Sequence, residues 1–390
     1  MFMHSCLVAG LLASGIAVPV NAVSFADAEA GYHTLQQFYN QSIGLWIPST
    51  GWWNSANCLT VIADLAAIDS TVKAQSLSVF SNTFKKAQVY NLQMQKVVGA
   101  GYMPWTYYGH HWPNFPPGWH KPSPHQTNGF LNSYYDDEGW WALAWIAAYD
   151  VTGNRQYLST AESIFEDMKA ASGTTPCGGT AIWWDKDKTY VNAIANELFL
   201  DVAAHLANRG GSKSSYYLSW AKKQWTWFQS SGMINAQHTI NDGLNITTCK
   251  NNGGTVWSYN QGVIFGGLTE LSKATHDNSY ITTAKKIADA AIANLTVNGI
   301  LHLLRQAVAD LIPGSQFKGV FARNLQILQQ ASPEKRYATF LSDNANSIWA
   351  NDRVGQSELS LIWSGPYIQP ANASTQSSAL DAIVGALATS

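Results

Sequence analysis

The sequence predicts an all-α protein, a single (α/α)6 toroid of six helical hairpins. About twelve segments repeat apolar residues at positions i, i+3, i+4 and i+7, which is typical of amphipathic helices. They come in pairs of one more apolar and one more charged helix. The alternation of period two that is typical of strands is scarce, and clusters of Gly, Pro, Asn and Ser separate the segments.

The predicted helices lie near 26–41, 52–68, 71–96, 137–151, 156–171, 192–208, 213–229, 259–275, 278–294, 318–331, 333–349 and 376–387. The more apolar helix of each pair opens with a polar and aromatic cluster. These openings are "GWWNSANC", "YYDDEGWW", "YVNAIANE", "WSYNQGVIFGG", "FKGVFARN" and "STQSSALD". If the inner helices close a ring, all openings meet at one end, where the helix N-termini supply N–H groups and partial positive charge. An open α-solenoid is the alternative, but it does not need a polar cluster at every inner start.

Composition points away from nucleic acid and acidic membranes and towards sugars. Charged residues make up 12% of the 390 residues and the net charge is -2, against about 25% charged residues in average proteins. Many of the 17 Trp and 17 Tyr residues stand beside Asn, Gln or Asp. Such pairs suit a sugar ring, which has an apolar C–H face and a rim of hydroxyls, although other aromatic residues will fill the core.

The N-terminus resembles a secretory signal peptide. Residues 1–22 form an apolar run that ends in Val20-Asn21-Ala22, and no charged residue precedes Asp27. We therefore expect a signal peptide over 1–22, a single catalytic domain over 23–390 and a secreted protein. Four N-x-S/T sequons suit a secreted glycoprotein; they lie at Asn40, Asn245, Asn294 and Asn372. The C-terminal residues are too few and too small for a membrane span or a lipid-anchor signal, so we expect a soluble protein. Sequons around the surface favour a monomer.

Three cysteines remain after removal of such a peptide. Cys177 and Cys249 lie in loops rich in Gly and Thr, "TTPCGGT" and "NITTCKNNGG", and we predict a disulfide between them. Cys58 lies inside an apolar periodic stretch and is expected to be an inert buried thiol.

The longest segment without helical periodicity, 97–134, is expected to be a loop that shapes a cleft. It contains His110, His111, His120 and His125, but no spacing typical of zinc sites. Residues 183–190, "WWDKDKTY", lack the Gly and distal Glu of a calcium loop, so we expect a solvated turn there. We expect neither a metal site nor a cofactor.

The cluster Asp136-Asp137-Glu138 has two interpretations. Acidic residues favour the first turn of any helix, so capping alone can explain it. However, the cluster opens an inner helix, follows the predicted cleft loop and is flanked by aromatic residues. Adjacent aspartates in a first turn can bring their short side chains together, which suits the separation of about 5–5.5 Å between carboxyls in retaining glycosidases.

The segment "YYDDEGWWALAWIAAYDVTGNRQYL" resembles the central motif of glycoside hydrolase family 76, the α-1,6-mannanases and their fungal cell-wall relatives. Similar motifs follow in order, namely "CGGTAIWW", "VNAIANELF", "WSYNQGVIFGGL", "FKGVFARNL", "IWSGPY" and "TQSSALDAI". The resemblance covers about 50–385 and departs in "CGGTAIWW", where C-G-G-G-I-W-W is expected. It implies an (α/α)6 fold and a retaining mechanism, with Asp136 as nucleophile and Asp137 as acid/base. The implied substrate is α-1,6-mannan or a manno-oligosaccharide, and the implied place is outside the cell or at the cell wall.

Further side chains at the inner helix openings and in nearby loops are candidates for substrate binding. They are Trp53, Tyr135, Trp183, Trp184, Asn192, Asp242, Tyr259, Asn260, Gln261 and Lys318. The Trp pair is suited to stacking on mannose or to core packing, and Asp242 to sugar binding or an Asx turn. Arg323 lies further along its helix and is expected to form a structural ion pair.

The sequence thus predicts a secreted endo-α-1,6-mannanase that retains configuration. Two alternatives remain open. The same carboxylates would serve a cell-wall transglycosidase that acts on mannan or on the glycan core of a lipid anchor. The second alternative is a protein that binds mannan without catalysing its cleavage, although the intact Asp pair argues against this function.

Overall fold

The computed structural model describes residues 22–89, 129–302 and 313–390, together with the backbone of 95–98 and 104–107. Each helix in these ranges corresponds to a predicted amphipathic segment. They are α1 (Phe25–Gln37), α2 (Trp52–Ile68), α3 (Ser70–Lys86), α4 (Tyr135–Thr152), α5 (Arg155–Ala170), α6 (Ala193–Arg209), α7 (Ser214–Ser230), α8 (Ser258–Thr275), α9 (Ser279–Leu295), α10 (Phe317–Ala331), α11 (Lys335–Asn351) and α12 (Ala373–Leu387).

Six of the helices form a closed inner ring. Helix α2 packs against α4, α4 against α6, α6 against α8, α8 against α10 and α10 against α12, and α12 returns to α2. Helices α3, α5, α7, α9 and α11 each pack outside the inner helix that precedes them, while α1 packs on α12. The contact between α12 and α2 confirms the (α/α)6 toroid and excludes the open α-solenoid.

Burial separates the two layers. Nearly every residue of α2, α6 and α8 is buried, whereas α5, α9 and α11 bury a single stripe and leave their charged residues exposed or half-buried. Because each outer helix runs back along its inner partner, all inner helices start at the same end of the ring. We call this the opening end and the opposite end the far end.

Glycines allow the inner helices to approach closely near the opening end. A Cβ on Gly262 of α8 would lie 2.7 Å from the Phe321 Cα of α10, and one on Gly319 of α10 would lie 2.6 Å from the Ser378 Cα of α12. Both contacts are with backbone atoms, which cannot move aside as a flexible side chain can. Larger residues at these positions would therefore push neighbouring helices apart.

Short strands join the loops. At the opening end, β3 (Val191–Asn192), β4 (Gly243–Asn245) and β5 (Lys250–Asn251) form an antiparallel sheet in the order β3-β4-β5. This sheet ties the start of α6 to the loop that precedes α8. Two further antiparallel pairs are β6 (Thr296–Val297) with β7 (Ile300–Leu301) and β8 (Arg353–Val354) with β9 (Glu358–Leu359).

The prediction of a helix over 71–96 is wrong at its C-terminal end. Helix α3 stops at Lys86, and strand β1 (Gln95–Val98) pairs with β2 (Pro104–Tyr107). The segment 97–134 therefore contains part of a hairpin, while 99–103 and 108–128 lie outside the described residues. Residues 87–96 contain neither Gly nor Pro, so nothing in the periodicity marked the end of the helix.

In the described part of the chain, no helix has the length and apolarity that a membrane crossing requires. The predicted signal peptide over 1–22 lies almost wholly outside the described residues and stays a prediction.

We expect Gly262→Ala to lower the free energy of unfolding by about 2 to 3 kcal/mol, because the added methyl group overpacks a contact with backbone. Chemical denaturation of the purified protein measures the change. The matched control is Gly385→Ala in α12, whose Cβ would first meet the Leu341 Cδ2 at 3.3 Å. That side chain can shift and alanine favours helix, so the control should change stability by less than about 1 kcal/mol. Equal effects of both substitutions would contradict the role given to Gly262.

Candidate active site

The acidic cluster lies in the first turn of inner helix α4. Its N-cap residue, Tyr134, provides no side-chain hydrogen bond to the turn, and Asp136, Asp137 and Glu138 follow directly. Asp136 is 7% exposed, while the other two acids are fully buried. The partial positive charge of the helix N-terminus favours ionised carboxylates here. The structure thus places both candidate catalytic aspartates at the opening end.

Asn132 fixes the orientation of this turn. Its side-chain Nδ2 donates to the Asp137 Oδ2 at 2.7 Å, and its backbone N–H donates to the Glu138 Oε1 at 2.8 Å. Its own Oδ1 accepts from the Tyr134 N–H at 2.8 Å. Asn132 was missed by the sequence analysis, although an Asn shortly before a helix start is a common signal for such a turn.

A buried ion pair holds Glu138 behind the aspartates. The Lys186 Nζ lies 2.7 Å from the Glu138 Oε1 and 2.9 Å from the Asp167 Oδ2 of α5. Burial raises the pKa of Glu138, and the Lys186 ammonium opposes that shift. The expectation of a solvated turn at 183–190 is therefore wrong for its first residues. Asp185 is buried too and accepts from the Thr189 N–H at 3.3 Å, and its pKa is raised by burial to about 6.

A further carboxyl, Asp242, reaches the same region from the loop before β4. Its Oδ2 accepts from the Tyr190 hydroxyl at 2.7 Å, and the Asn252 Nδ2 donates to that hydroxyl at 2.7 Å. Burial raises the pKa of Asp242 to about 7, and the charge of Asp136 adds to the increase. A Cβ on Gly243 would lie 2.5 Å from the Tyr190 hydroxyl oxygen, so this position needs glycine.

Two inner helices bring further polar groups to these carboxyls. Tyr259 lies in the first turn of α8, and burial together with the charges of Asp242, Asp136 and Glu197 raises the pKa of its phenol. Glu197 of α6 is fully buried and was missed as a site residue. The sequence did contain a signal for a polar site on α6. Glu197, Asp201 and His205 are four residues apart and therefore share one helix face. Carboxyls from three elements therefore converge inside the opening end.

The aromatic candidates are mostly buried. Trp53 stacks on Trp140 with ring centroids 6.2 Å apart, and Trp184 packs against Tyr134 at 5.1 Å. The Trp183 Nε1 donates to the Thr174 Oγ1 at 3.1 Å, beside the loop that holds Cys177. Tyr135 is partly exposed, with the Lys186 Nζ 5.4 Å from its ring centroid. These contacts explain Trp53, Trp183 and Trp184 as packing residues, and sugar stacking stays a prediction.

Three of the polar candidates form hydrogen bonds with backbone groups of the protein itself. The Asn192 side chain caps α6 by accepting from the Ala195 N–H at 3.2 Å. The Gln261 amide binds both the N–H and the C=O of Ile240, at 2.8 and 2.9 Å. The Lys318 Nζ donates to the Leu361 C=O at 2.7 Å, and burial lowers its pKa to about 7. Their sugar-binding roles stay predictions, because structural contacts already account for them.

Ionic contacts deeper in the ring are structural. The Arg323 guanidinium pairs with Asp381 at 3.4 Å and donates to the Asn57 Oδ1, as expected of an ion-pair partner. At the far end, Arg209 pairs with Asp150 at 2.7 Å and with Glu270 at 2.9 Å around a cavity of about 340 Å³. Arg209 thus pairs with two carboxylates at the far end.

The disulfide between Cys177 and Cys249 is confirmed, with Cα atoms 5.2 Å apart. Cys58 is a free buried thiol whose pKa is raised by burial to about 12, as expected of an inert group. The four loop histidines lie outside the described residues. Within the described ranges, no group of three or more His, Cys, Asp or Glu side chains is arranged to hold a metal ion. Asn245 and Asn294 are exposed and Asn40 and Asn372 partly so, and their glycosylation stays a prediction.

The model of glycosyl hydrolase family 76 matches residues 120–390. The chain belongs to this family. The match covers more than half of the chain and includes every inner helix except α2.

Among curated relatives of this family 76 chain is the mannan endo-1,6-alpha-mannosidase DFG5 of Candida albicans. The two sequences are 25% identical over 313 residues, which are 76% of this chain and 62% of the relative. The chain thus spans less than two thirds of that relative's length.

Solved structures show the same fold. The GH76A α-1,6-mannanase of Salegentibacter sp. HEL1_6 superposes with a TM-score of 0.73 at 20% identity, over 93% of this chain and 98% of that one. An inactive variant of that enzyme, with two adjacent aspartates replaced by asparagine, was solved with α-1,6-mannotriose. It superposes with a TM-score of 0.71 at 19% identity, over 93% of this chain and 99% of that one.

We expect Lys186→Met to lower the free energy of unfolding by about 2 to 3 kcal/mol, because it leaves the buried Glu138 without its cation. Lys188→Met, an exposed lysine in the same turn, is the control and should change stability by less than about 0.5 kcal/mol. Denaturant titration compares the two. The ion pair would not be stabilising if both variants unfolded like the parent protein.

The raised pKa of Asp242 predicts a pH dependence of stability. The folded protein keeps a proton on Asp242 that the unfolded chain releases near its usual pKa of 3.8, so stability falls as the pH rises from about 4 to about 7. In Asp242→Asn this fall should be smaller by up to about 4 kcal/mol. Unfolding free energies measured across this pH range test it. The exposed Asp343→Asn is the control and should leave the slope unchanged.

Proposed function

We propose that this protein is a secreted endo-α-1,6-mannanase that cleaves α-1,6-linked mannan with retention of configuration. The observation that carries the proposal is the adjacent pair Asp136 and Asp137 in the first turn of an inner helix, at the end of a closed ring where other carboxyls converge. A retaining glycosidase needs one carboxylate and one carboxylic acid about 5–5.5 Å apart. Adjacent residues of one helical turn suit that separation.

In the first step, an Asp136 oxygen attacks the anomeric carbon of the mannose residue and forms a covalent ester. The bond from that carbon to the glycosidic oxygen breaks, and Asp137 gives its proton to the departing oxygen. The helix N-terminus favours an ionised nucleophile. Asn132 suits the acid/base role of Asp137, because its hydrogen bond holds the Asp137 carboxyl in one orientation.

In the second step, Asp137 takes a proton from a water molecule as the water oxygen attacks the anomeric carbon. The ester to Asp136 breaks, the sugar leaves with its original configuration, and both aspartates return to their starting protonation states. Asp242 and Tyr259 lie near Asp136 and are suited to binding sugar hydroxyl groups beside it.

The relatives support the choice of substrate. A curated relative is named a mannan endo-1,6-alpha-mannosidase, and a protein of the same fold was solved with α-1,6-mannotriose after replacement of two adjacent aspartates. Secretion is supported by the apolar residues 1–22, the sequons and the disulfide, because structural disulfides are typical of oxidising compartments.

The proposal is tested by incubating the protein with α-1,6-mannotetraose and sizing the products. Shorter oligosaccharides indicate a hydrolase, whereas longer ones indicate the transglycosidase, in which a sugar hydroxyl replaces water as acceptor. Unchanged substrate that still binds would indicate a mannan-binding protein. NMR of the first product distinguishes the mechanisms, since retention releases the α-anomer before mutarotation.

We expect Asp136→Ala and Asp137→Ala each to lower kcat/KM by at least about 10³-fold, because each step needs both carboxyls. Asp343→Ala, an exposed aspartate of α11, is the matched control and should retain activity. Near-normal turnover by either active-site variant would exclude the proposed mechanism.

Reactions with added azide show which aspartate is the nucleophile and which is the acid/base. In Asp137→Ala, azide should replace water in the second step and give α-mannosyl azide, since the ester to Asp136 still forms. In Asp136→Ala, azide should attack the anomeric carbon of the substrate directly and give β-mannosyl azide. The opposite pattern would exchange the roles of the two aspartates.

A further inference from the structure

Glu197 lacks the partners that a buried carboxyl normally has. It lies on inner helix α6, is fully buried, and neither of its oxygens has a hydrogen-bond partner among the described residues. Buried polar atoms are nearly always hydrogen-bonded, so two such oxygens on one side chain need an explanation.

The surroundings of Glu197 disfavour a charge. Asp242 and Asp201 are its charged neighbours, Tyr259 lies near it from α8, and no cation of the described residues acts on it. Asp201 faces His205, whose Nε2 lies 3.3 Å from the Asp201 Oδ1. An ionised carboxylate without water, a donor or a cation is strongly disfavoured, and burial raises the pKa of Glu197 accordingly. The missing partners and the burial together favour the neutral acid, which offers one donor and one acceptor.

Asn260 presents the same feature from the neighbouring helix. It lies in the first turn of α8, which packs against α6, and it is fully buried. Neither its Oδ1 nor its Nδ2 has a hydrogen-bond partner in the described part of the chain. Glu197 lies near Asp242, and Tyr259, which directly precedes Asn260, lies near Asp242, Asp136 and Glu197. Adjacent helices thus place open donors and acceptors inside the opening end. A sugar ring, whose hydroxyls both donate and accept, matches this set.

We propose that Glu197 is a sugar-binding residue, whose neutral carboxyl, together with the Asn260 amide, hydrogen-bonds hydroxyl groups of the mannose residue held against Asp136. The inference rests on the proposed function, because it takes α-1,6-linked mannose as the ligand. It adds to the site a binding group on inner helix α6, in addition to the carboxyls of α4 and of the loop before β4.

Binding of α-1,6-mannotriose, measured by calorimetry, tests the inference. The parent is the full chain with Asp136→Asn and Asp137→Asn, so that the ligand is not cleaved. In this parent, Glu197→Met should weaken binding by at least about tenfold, because a buried hydrogen bond to the sugar is lost. Glu197→Gln should weaken it less, by no more than about threefold, since an amide offers a donor and an acceptor in the same place.

The melting temperature separates binding from folding. Methionine removes unsatisfied buried oxygens, so Glu197→Met should melt at the same temperature as the parent or higher. The matched control is Gln326→Met in α10, which removes another buried oxygen without a hydrogen-bond partner, beside the far-end cavity. It should leave the Kd unchanged. If Glu197→Met does not fold, Asn260→Leu takes its place, with the same expected loss of at least about tenfold.

Each of these measurements either supports or overturns the inference. A Kd within about twofold of the parent for Glu197→Met, or for Asn260→Leu in its place, overturns the inference and indicates that water fills the site. An equal loss in Glu197→Gln and Glu197→Met overturns the neutral state. Hydrolysis by the wild-type protein is measured separately. Cleavage without an effect of Glu197 overturns the inference alone, binding without cleavage overturns only the proposed hydrolysis, and no binding by the parent overturns both.

Discussion

The closure of the inner ring is the constraint on which the rest of the structure depends. Six helices meet their neighbours on both sides, and the last returns to α2. This arrangement works only if the helices approach closely, which Gly262 and Gly319 permit at contacts with backbone. The closed ring gathers six helix N-termini at one end. The acidic turn of α4, the start of α8 and the sheet before α6 come together there although they are far apart in the chain.

A protein with so few charged residues distributes them unevenly along the axis of the ring. Towards the far end, Arg209 and Glu270 form ion pairs that neutralise one another. At the opening end, Asp136, Asp242 and Glu197 crowd together, and burial and mutual repulsion raise the pKa of Asp242 and Glu197. Lys186 pairs with Glu138, which follows the two catalytic candidates in the first turn of α4. The fold thus tolerates an excess of carboxyls where a substrate would be bound.

The sequence was sufficient for the helices, their pairing and the position of the acidic turn, because apolar periodicity and local clusters are short-range properties. The sequence also singled out Asp242, which lies near Asp136, while its role in substrate binding stays a prediction. It was not sufficient where the outcome depends on partners that are distant in the chain. Gln261 binds the backbone of Ile240, a contact that the periodicity of α8 does not indicate, and its sugar-binding role stays a prediction. The contact of Lys186 with Glu138 joins residues whose separation in the chain gives no periodic signal.

The pairing of α1 with α12 has a consequence for protein engineering. The two helices pack antiparallel although they lie at opposite ends of the described chain. A Cβ on Gly31 of α1 would lie 3.2 Å from the Leu380 Cδ1 of α12. The start of α1 and the end of α12 therefore lie side by side, at the far end of the ring. A short linker could join them and new termini could be opened in an outer connection, giving a circularly permuted toroid. A domain fused at either helix end would likewise stand on the side opposite to the acidic turn of α4.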